Sequence, residues 1–253
     1  MPAATLARLV LLEARRGGLP WLCLGCIALA VALAAFLSQV AVSESLMLQA
    51  ALVAALLRAG AVFLIAAQVA GSILREMNDK ALEMSLTLPV SRLAQYVGRL
   101  AGFAACSAGI AALFSVPLLF WAPPATVALW GLSLALECTL VAAATMFFAM
   151  VLGQLVPTIA SVAGLYLLGR SMAAIQEIAS GPLADTSLAQ DIARGAVDAT
   201  AFLLPRLDVV TRTEWLLYGP PEPQAYLGAL AGLLVYAALL VAAGLFDFHR
   251  KNL

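Results

Sequence analysis

Long apolar stretches alternate with short polar ones along the chain, and the apolar stretches reach the length of a bilayer crossing. A spanning helix needs about 20 predominantly apolar residues. By that measure the spans are Leu19–Val42, Ser45–Leu74, Leu100–Trp121, Ala125–Gln154, Pro157–Met172 and Tyr226–Phe246. The first carries no charge and opens on Pro20-Trp21. The second and fourth hold one charge each, Arg58 and Glu137, and the short fifth holds Gly164, Gly169 and Arg170. Gly228 and Gly232 in the last span form a G-x-x-x-G, a spacing that permits close helix approach.

The pieces between spans are also helical in pattern. Residues 3–16 read as a short amphipathic helix lying on the membrane surface. Leu6, Leu9, Val10 and Glu13 share one face, Arg8, Arg15 and Arg16 can reach lipid phosphates, and Gly17-Gly18 breaks the helix. Residues 173–222 form the one large polar segment outside the spans. Within it a helix capped by Asp185 or Thr186 carries Leu188, Ile192, Ala196 and Ala199 on one face and Asp191, Arg194 and Asp198 on the other. A second short helix starts near Thr213-Glu214 and ends at Gly219-Pro220-Pro221. The pair can line an exit route or serve as a lid over helix ends.

Residues 75–99 are a polar island between the second and third spans, with Arg75, Glu76, Asp79, Lys80, Glu83, Arg92 and Arg99. Asn78 or Asp79 can cap a helix bearing Leu82, Met84, Ser85 and Leu86. Pro89 ends it, because the residue before a proline avoids the α region. Ser91 then caps a helix whose polar face holds Arg92, Gln95 and Arg99. A short helix with apolar side chains framed by charge suits a groove on another protein.

Composition narrows the function classes. The chain of 253 residues is 64% hydrophobic and 11% charged, with formal net charge zero, where soluble domains carry roughly 25% charged residues. Neutral charge gives no reason to expect nucleic acid. Cys23, Cys26, Cys106 and Cys138 all fall in apolar segments, so they read as packing residues rather than a disulfide framework or metal site. No G-x-x-x-x-G-K-[ST] occurs, so the chain has no loop to cradle nucleotide phosphates. The single histidine, His249, excludes an H-E-x-x-H metalloprotease. The spans hold no convincing acid, nucleophile or metal cluster for an intramembrane enzyme. No catalytic, cofactor-binding or metal-binding residue is expected.

Lysine and arginine near span ends set orientation. With the N-terminus inside, Arg8, Arg15, Arg16, Arg75, Lys80, Arg92, Arg99, Arg250 and Lys251 are cytoplasmic, against Arg170, Arg194, Arg206 and Arg212 outside. Both termini are therefore expected in the cytosol. Counting along ideal helices puts Arg58 roughly 24 Å, Glu137 roughly 25 Å and Arg170 roughly 20 Å from the cytoplasmic end. The shared depth of Arg58 and Glu137 allows an outer-gate cluster, with Arg58 paired to Glu137 and Arg170 beside them. Snorkelling of each charge to the headgroups is the alternative.

The island resembles the cytoplasmic loop of permease subunits of type-2 ABC exporters, approximately R-E-x-E-x-G-T-L-E-x-L-L-x-L-P-V-S-R. The matching residues are Arg75, Glu76, Leu82, Glu83, Leu86, Leu88, Pro89, Val90, Ser91 and Arg92, with Gly98-Arg99 in place of the usual Gly-Lys. Ala81 departs from the glycine-threonine neighbourhood. The basic tail Phe248–Leu253 and the order of segments extend the resemblance over the whole chain, as one domain at 1–253. It comprises an interface helix at 1–18, a coupling loop at 75–92 and an extracytoplasmic helical segment at 173–222. Leu204-Pro205-Arg206-Leu207-Asp208 resembles an L-P-N-x-D sequence of permeases linked to copper-enzyme maturation.

The resemblance implies an all-α membrane protein with six transmembrane helices, and a permease subunit rather than an enzyme. It would sit in a bacterial inner membrane, paired with a second copy and with a cytosolic ABC ATPase that binds the ATP and Mg. A periplasmic accessory protein is a further candidate partner. Arg75, Glu76, Asp79, Leu82, Glu83, Leu86, Pro89 and Arg92 would couple to the ATPase. The alternatives are a non-transporting membrane scaffold and a mechanotransmitting ABC subunit for metalloenzyme maturation.

Overall fold

The computed structural model describes residues 2–40, 45–79, 92–179 and 188–250. The helices are α1 (Pro2–Arg16), α2 (Leu19–Val40), α3 (Ser45–Asn78), α4 (Arg92–Leu118), α5 (Pro124–Leu152), α6 (Leu155–Ala179), α7 (Leu188–Leu203), α8 (Glu214–Tyr218) and α9 (Pro223–Arg250). A single turn of 3₁₀ helix spans Leu207–Val209. Among the described residues there is no strand. Six helices, α2 to α6 and α9, are long and apolar enough to cross a membrane, so the chain is an all-α membrane protein.

Several span boundaries differ from those the hydropathy predicts: α3, α6 and α9 run longer, while α4 and α5 stop a few residues earlier at their C-terminal ends. α3 has 34 residues, which at ~1.5 Å per residue makes it about 51 Å long, beyond a hydrocarbon core of ~30 Å. The polar residues Arg75 and Glu76 thus continue the second span instead of leaving it. α6, expected to be the short span, runs 25 residues. Pro117 sits inside the last turn of α4, where its missing N–H interrupts the ladder close to the helix end. α5 starts with Pro124 in its first turn and ends on Gly153, whose φ of 64° lets its N–H close on Ala149 O at 3.0 Å.

The core lies between α3, α4 and α5. Leu57, Ile65 and Ile73 of α3, Phe103 and Phe114 of α4, and Trp130, Leu134 and Met146 of α5 are fully enclosed. Side chains of that size fill the space between three helices as interiors do. α2 joins by a stripe of small residues, Cys23, Ala30 and Ala34, and Cys26 packs at Gly60 of α3. This is the close approach that small residues allow between membrane helices. All four cysteines are free thiols. α2 and α9 stay on the outside, leaving Trp21, Phe36, Leu234, Leu239 and Phe246 exposed.

One end of the bundle, here termed basal, gathers α1, the end of α3 and the start of α4. A Cβ on Gly102 would meet Val10 Cβ at 2.7 Å and Ala7 O at 3.0 Å, so only glycine lets α1 lie against α4. α1 therefore buries Val10 and Ala14 on protein and leaves Leu9 exposed, whereas the face predicted for lipid included both Leu9 and Val10. The late part of α9 returns to the same end, where Gly244 packs against the Tyr96 ring.

Candidate functional site

Two polar clusters interrupt the apolar bundle. The basal one is built where α3 and α4 flank residues 79–92. Arg99 Nη2 lies 2.7 Å from Glu76 Oε2, with the arginine side chain 5% exposed. Glu13 of α1 accepts from Ser72 Oγ at 2.7 Å and from Arg75 Nη2 at 3.2 Å. The charges of three helices therefore meet on one another. The predicted polar face of Gln95 and Arg99 is real but turned inward, since both residues are buried. A long α3 explains this: it carries Glu76 far enough to face the first turns of α4.

Of the predicted coupling residues, Arg75 and Asp79 are exposed and Glu76 is half-buried at the end of α3. The α4 backbone begins at Arg92. Lys80, Leu82, Glu83, Leu86 and Pro89 lie outside the described residues.

The second cluster lies inside the bundle, with Glu137 about midway along α5. Glu137 of α5 is completely buried. Its Oε1 accepts from the Tyr166 hydroxyl at 2.8 Å and sits 3.6 Å from Arg170 Nη1. Tyr166 and Arg170 are one turn apart on α6, so both project toward α5. Arg170 also donates to the carbonyls of Leu207 at 2.6 Å, Val210 at 2.8 Å and Thr211 at 3.2 Å. Arg58 of α3 donates to the same Thr211 carbonyl at 3.0 Å.

These contacts tie the segment 204–212 to the bundle as a plug. Irregular backbone at membrane depth is tolerated only where protein satisfies its polar groups, and here two guanidinium groups supply the donors. Thr211 has φ 50°, unusual for a β-branched residue, and its hydroxyl donates to Ser133 Oγ at 3.2 Å. A Cβ on Gly169 would meet Pro205 O at 2.8 Å, so the glycine beside Arg170 makes room for the plug.

The expected trio does converge, with one correction. Arg170, not Arg58, is the residue in ion-pair range of Glu137, and Arg58 joins through the Thr211 carbonyl. Glu137 does not snorkel; it is held by Tyr166 and Arg170 with no exposed surface. Tyr166, Ser133, Thr211 and Gly169 were not anticipated. Tyr166 was detectable by its four-residue spacing from Arg170, whereas the role of Thr211 depends on backbone carbonyls that side-chain patterns do not reveal.

The polar stretch after α6 follows the predicted order. α7 fixes its polar side to the end of α6, with Asp198 accepting from Gln176 at 3.1 Å and Arg194 donating to Ala179 O at 2.8 Å. Ile192, Phe202 and Leu203 remain exposed. α8 begins after Thr213 and stops at Gly219, as the Thr-Glu and Gly-Pro-Pro signals suggest. No three histidine, cysteine, aspartate or glutamate side chains converge among the described residues.

No family model matches the chain, and no curated protein matches it.

Proposed function

We propose that this chain is the permease subunit of an ATP-driven exporter of the type-2 ABC class. It would work as a dimer in a bacterial inner membrane, with the basal end and both termini toward the cytosol. The loop 75–92 would dock on a separate ATPase subunit that binds ATP and Mg. The observation that carries this reading is the ion pair between buried Arg99 and half-buried Glu76, which links the two helices flanking that loop. A loop mounted on two helices joined in this way moves them as one body, as a coupling element must. The Glu13 contacts pass the same displacement to α1.

A mechanotransmitting subunit is a second reading, and the packing of the core supports it. Large side chains fill the space between α3, α4 and α5, and the plug adds to this core away from the basal end. Such a bundle suits transmission of force across the membrane as well as movement of a solute along a dimer seam.

Capture of an ATP-hydrolysing subunit by the full chain tests the proposal. Capture lost on Glu76→Lys or Leu86→Asp, in variants that still assemble in the membrane, supports coupling. An ATPase bound equally well when residues 80–91 are replaced by glycine and serine would leave a non-transporting scaffold as the better reading.

A further inference from the structure

Between the segment 202–221 and α9 the protein encloses an open cavity of about 820 Å³, within the ~300–1,000 Å³ range of ligand clefts. Its α9 wall runs from Ala225 to Leu239, about 21 Å at ~1.5 Å per residue. That exceeds one leaflet, about 15 Å in a hydrocarbon core ~30 Å thick, by a little over one helical turn. Gly228 and Gly232 lie on this wall, and a Cβ on either would meet nothing within 4 Å. The G-x-x-x-G therefore opens a groove among the described residues instead of seating a neighbouring helix.

The chemistry changes along the groove. Leu233, Val235 and Leu239 make the α9 side apolar, Leu233 buried and the other two exposed, and Phe202 stands opposite, almost wholly exposed. At the mouth stand Arg206 and Arg212, with side chains 73% and 42% exposed. Arg206 is 4.0 Å from Asp208, and Arg212 is 3.8 Å from Glu214 and donates its Nε–H to Asp208 O. A guanidinium has five donors, so these contacts leave several for another acceptor.

We infer that this groove binds a phospholipid of the leaflet opposite the basal end, its phosphate on Arg206 and Arg212 and an acyl chain along the glycine-lined face of α9. Arginine pairs match phosphate oxygens in charge and in bidentate geometry. An apolar groove beside them, long enough for an acyl chain, fits the chain of the same molecule. A helix from a second copy would satisfy the apolar wall but not the two arginines at its mouth. The inference needs only a membrane-embedded chain and stands apart from ATPase coupling.

Trp215 lines the cavity and reports its occupancy. In the full chain with Trp21, Trp121 and Trp130 changed to Phe, chain-brominated phosphatidylglycerol added in detergent should quench Trp215 saturably. Brominated diacylglycerol, lacking phosphate, should need about tenfold more, the loss expected when charge-assisted hydrogen bonds are absent. R206Q/R212Q should raise the phosphatidylglycerol half-saturation by about the same factor and leave diacylglycerol unchanged. Gly232→Leu should abolish quenching by filling the slot. Equal quenching by the two lipids, or none that saturates, overturns the inference. So does quenching that vanishes as the chain self-associates, because the groove would then belong to a second copy. The comparison of lipids on the starting chain decides the matter even if the arginine variant does not fold.

Discussion

Arg170 of α6 stands 3.6 Å from Glu137 of α5 and at the same time donates to three carbonyls of the 207–211 backbone. The pair is thus unequal: the carboxylate neutralises one charge, while the guanidinium also holds a chain segment in place. Arg170→Met should cost about 3–5 kcal/mol, the range for removing one partner of a buried pair. Glu137→Gln keeps an acceptor for Tyr166 and leaves Arg170 its carbonyls, so it should cost about 1–3 kcal/mol. Thermal unfolding of both variants in detergent checks the order; equal losses would place the plug's anchor elsewhere.

Gly169→Ala tests the plug from its other side. The added methyl meets a backbone carbonyl, Pro205 O at 2.8 Å, which cannot yield as a flexible side chain would. A loss of about 1–3 kcal/mol, typical of overpacking, is expected. A cysteine placed at Leu207, fully buried in the native chain, should label faster with a membrane-impermeant maleimide when Gly169→Ala is present. Unchanged labelling would mean that the plug stays seated.

The basal end predicts a matching effect at α1. Gly102→Ala would press on Val10 Cβ and Ala7 O, separating α1 from α4 and weakening the Glu13 contacts with Ser72 and Arg75. Limited proteolysis should cut near Gly17-Gly18 sooner than in the native chain. Gly228→Ala faces open space and should leave that cleavage unchanged.

Arg99 and Glu76 should behave as one unit. Arg99→Met leaves Glu76 half-buried without its cation and should cost about 3 kcal/mol or more. The double variant Arg99→Met/Glu76→Met should recover much of that loss, because an apolar pair of similar volume often replaces a buried ion pair at little cost. Thermal unfolding of the two singles and the double provides the coupling energy. Additive losses would show that the two side chains do not depend on each other.

How much of this was legible in the sequence depended on periodicity. The six spans, α1, the two-faced α7 and the Gly-Pro-Pro end of α8 all follow from local pattern and capping chemistry, and they appear in that order. Counting residues up each span placed Arg58 and Glu137 at one depth with Arg170 about a turn lower, and the three do converge. The same count could not say which arginine meets the carboxylate, because depth leaves rotation about the helix axis undetermined. Nor could it foresee that Arg99 turns inward or that Val10, not Leu9, is buried. Those choices are made by Gly102 and by the extra turns of α3, which are tertiary facts. The plug was hidden for another reason: its contacts run through the carbonyls of residues 207, 210 and 211, which side-chain patterns do not encode.

The central claim is that the loop between α3 and α4 transmits force from a separate ATPase. The most direct measurement is ATP hydrolysis captured by the tagged full chain purified from its native membrane, with the captured subunit identified as a P-loop ATPase by peptide mass. Leu86→Asp should lower captured hydrolysis about tenfold, as expected when a central apolar anchor worth over ~1 kcal/mol is lost from an interface. Arg206→Gln, at the opposite end of the bundle, should leave it unchanged. Hydrolysis captured equally by the native chain and by a chain with residues 80–91 replaced by glycine and serine would contradict it.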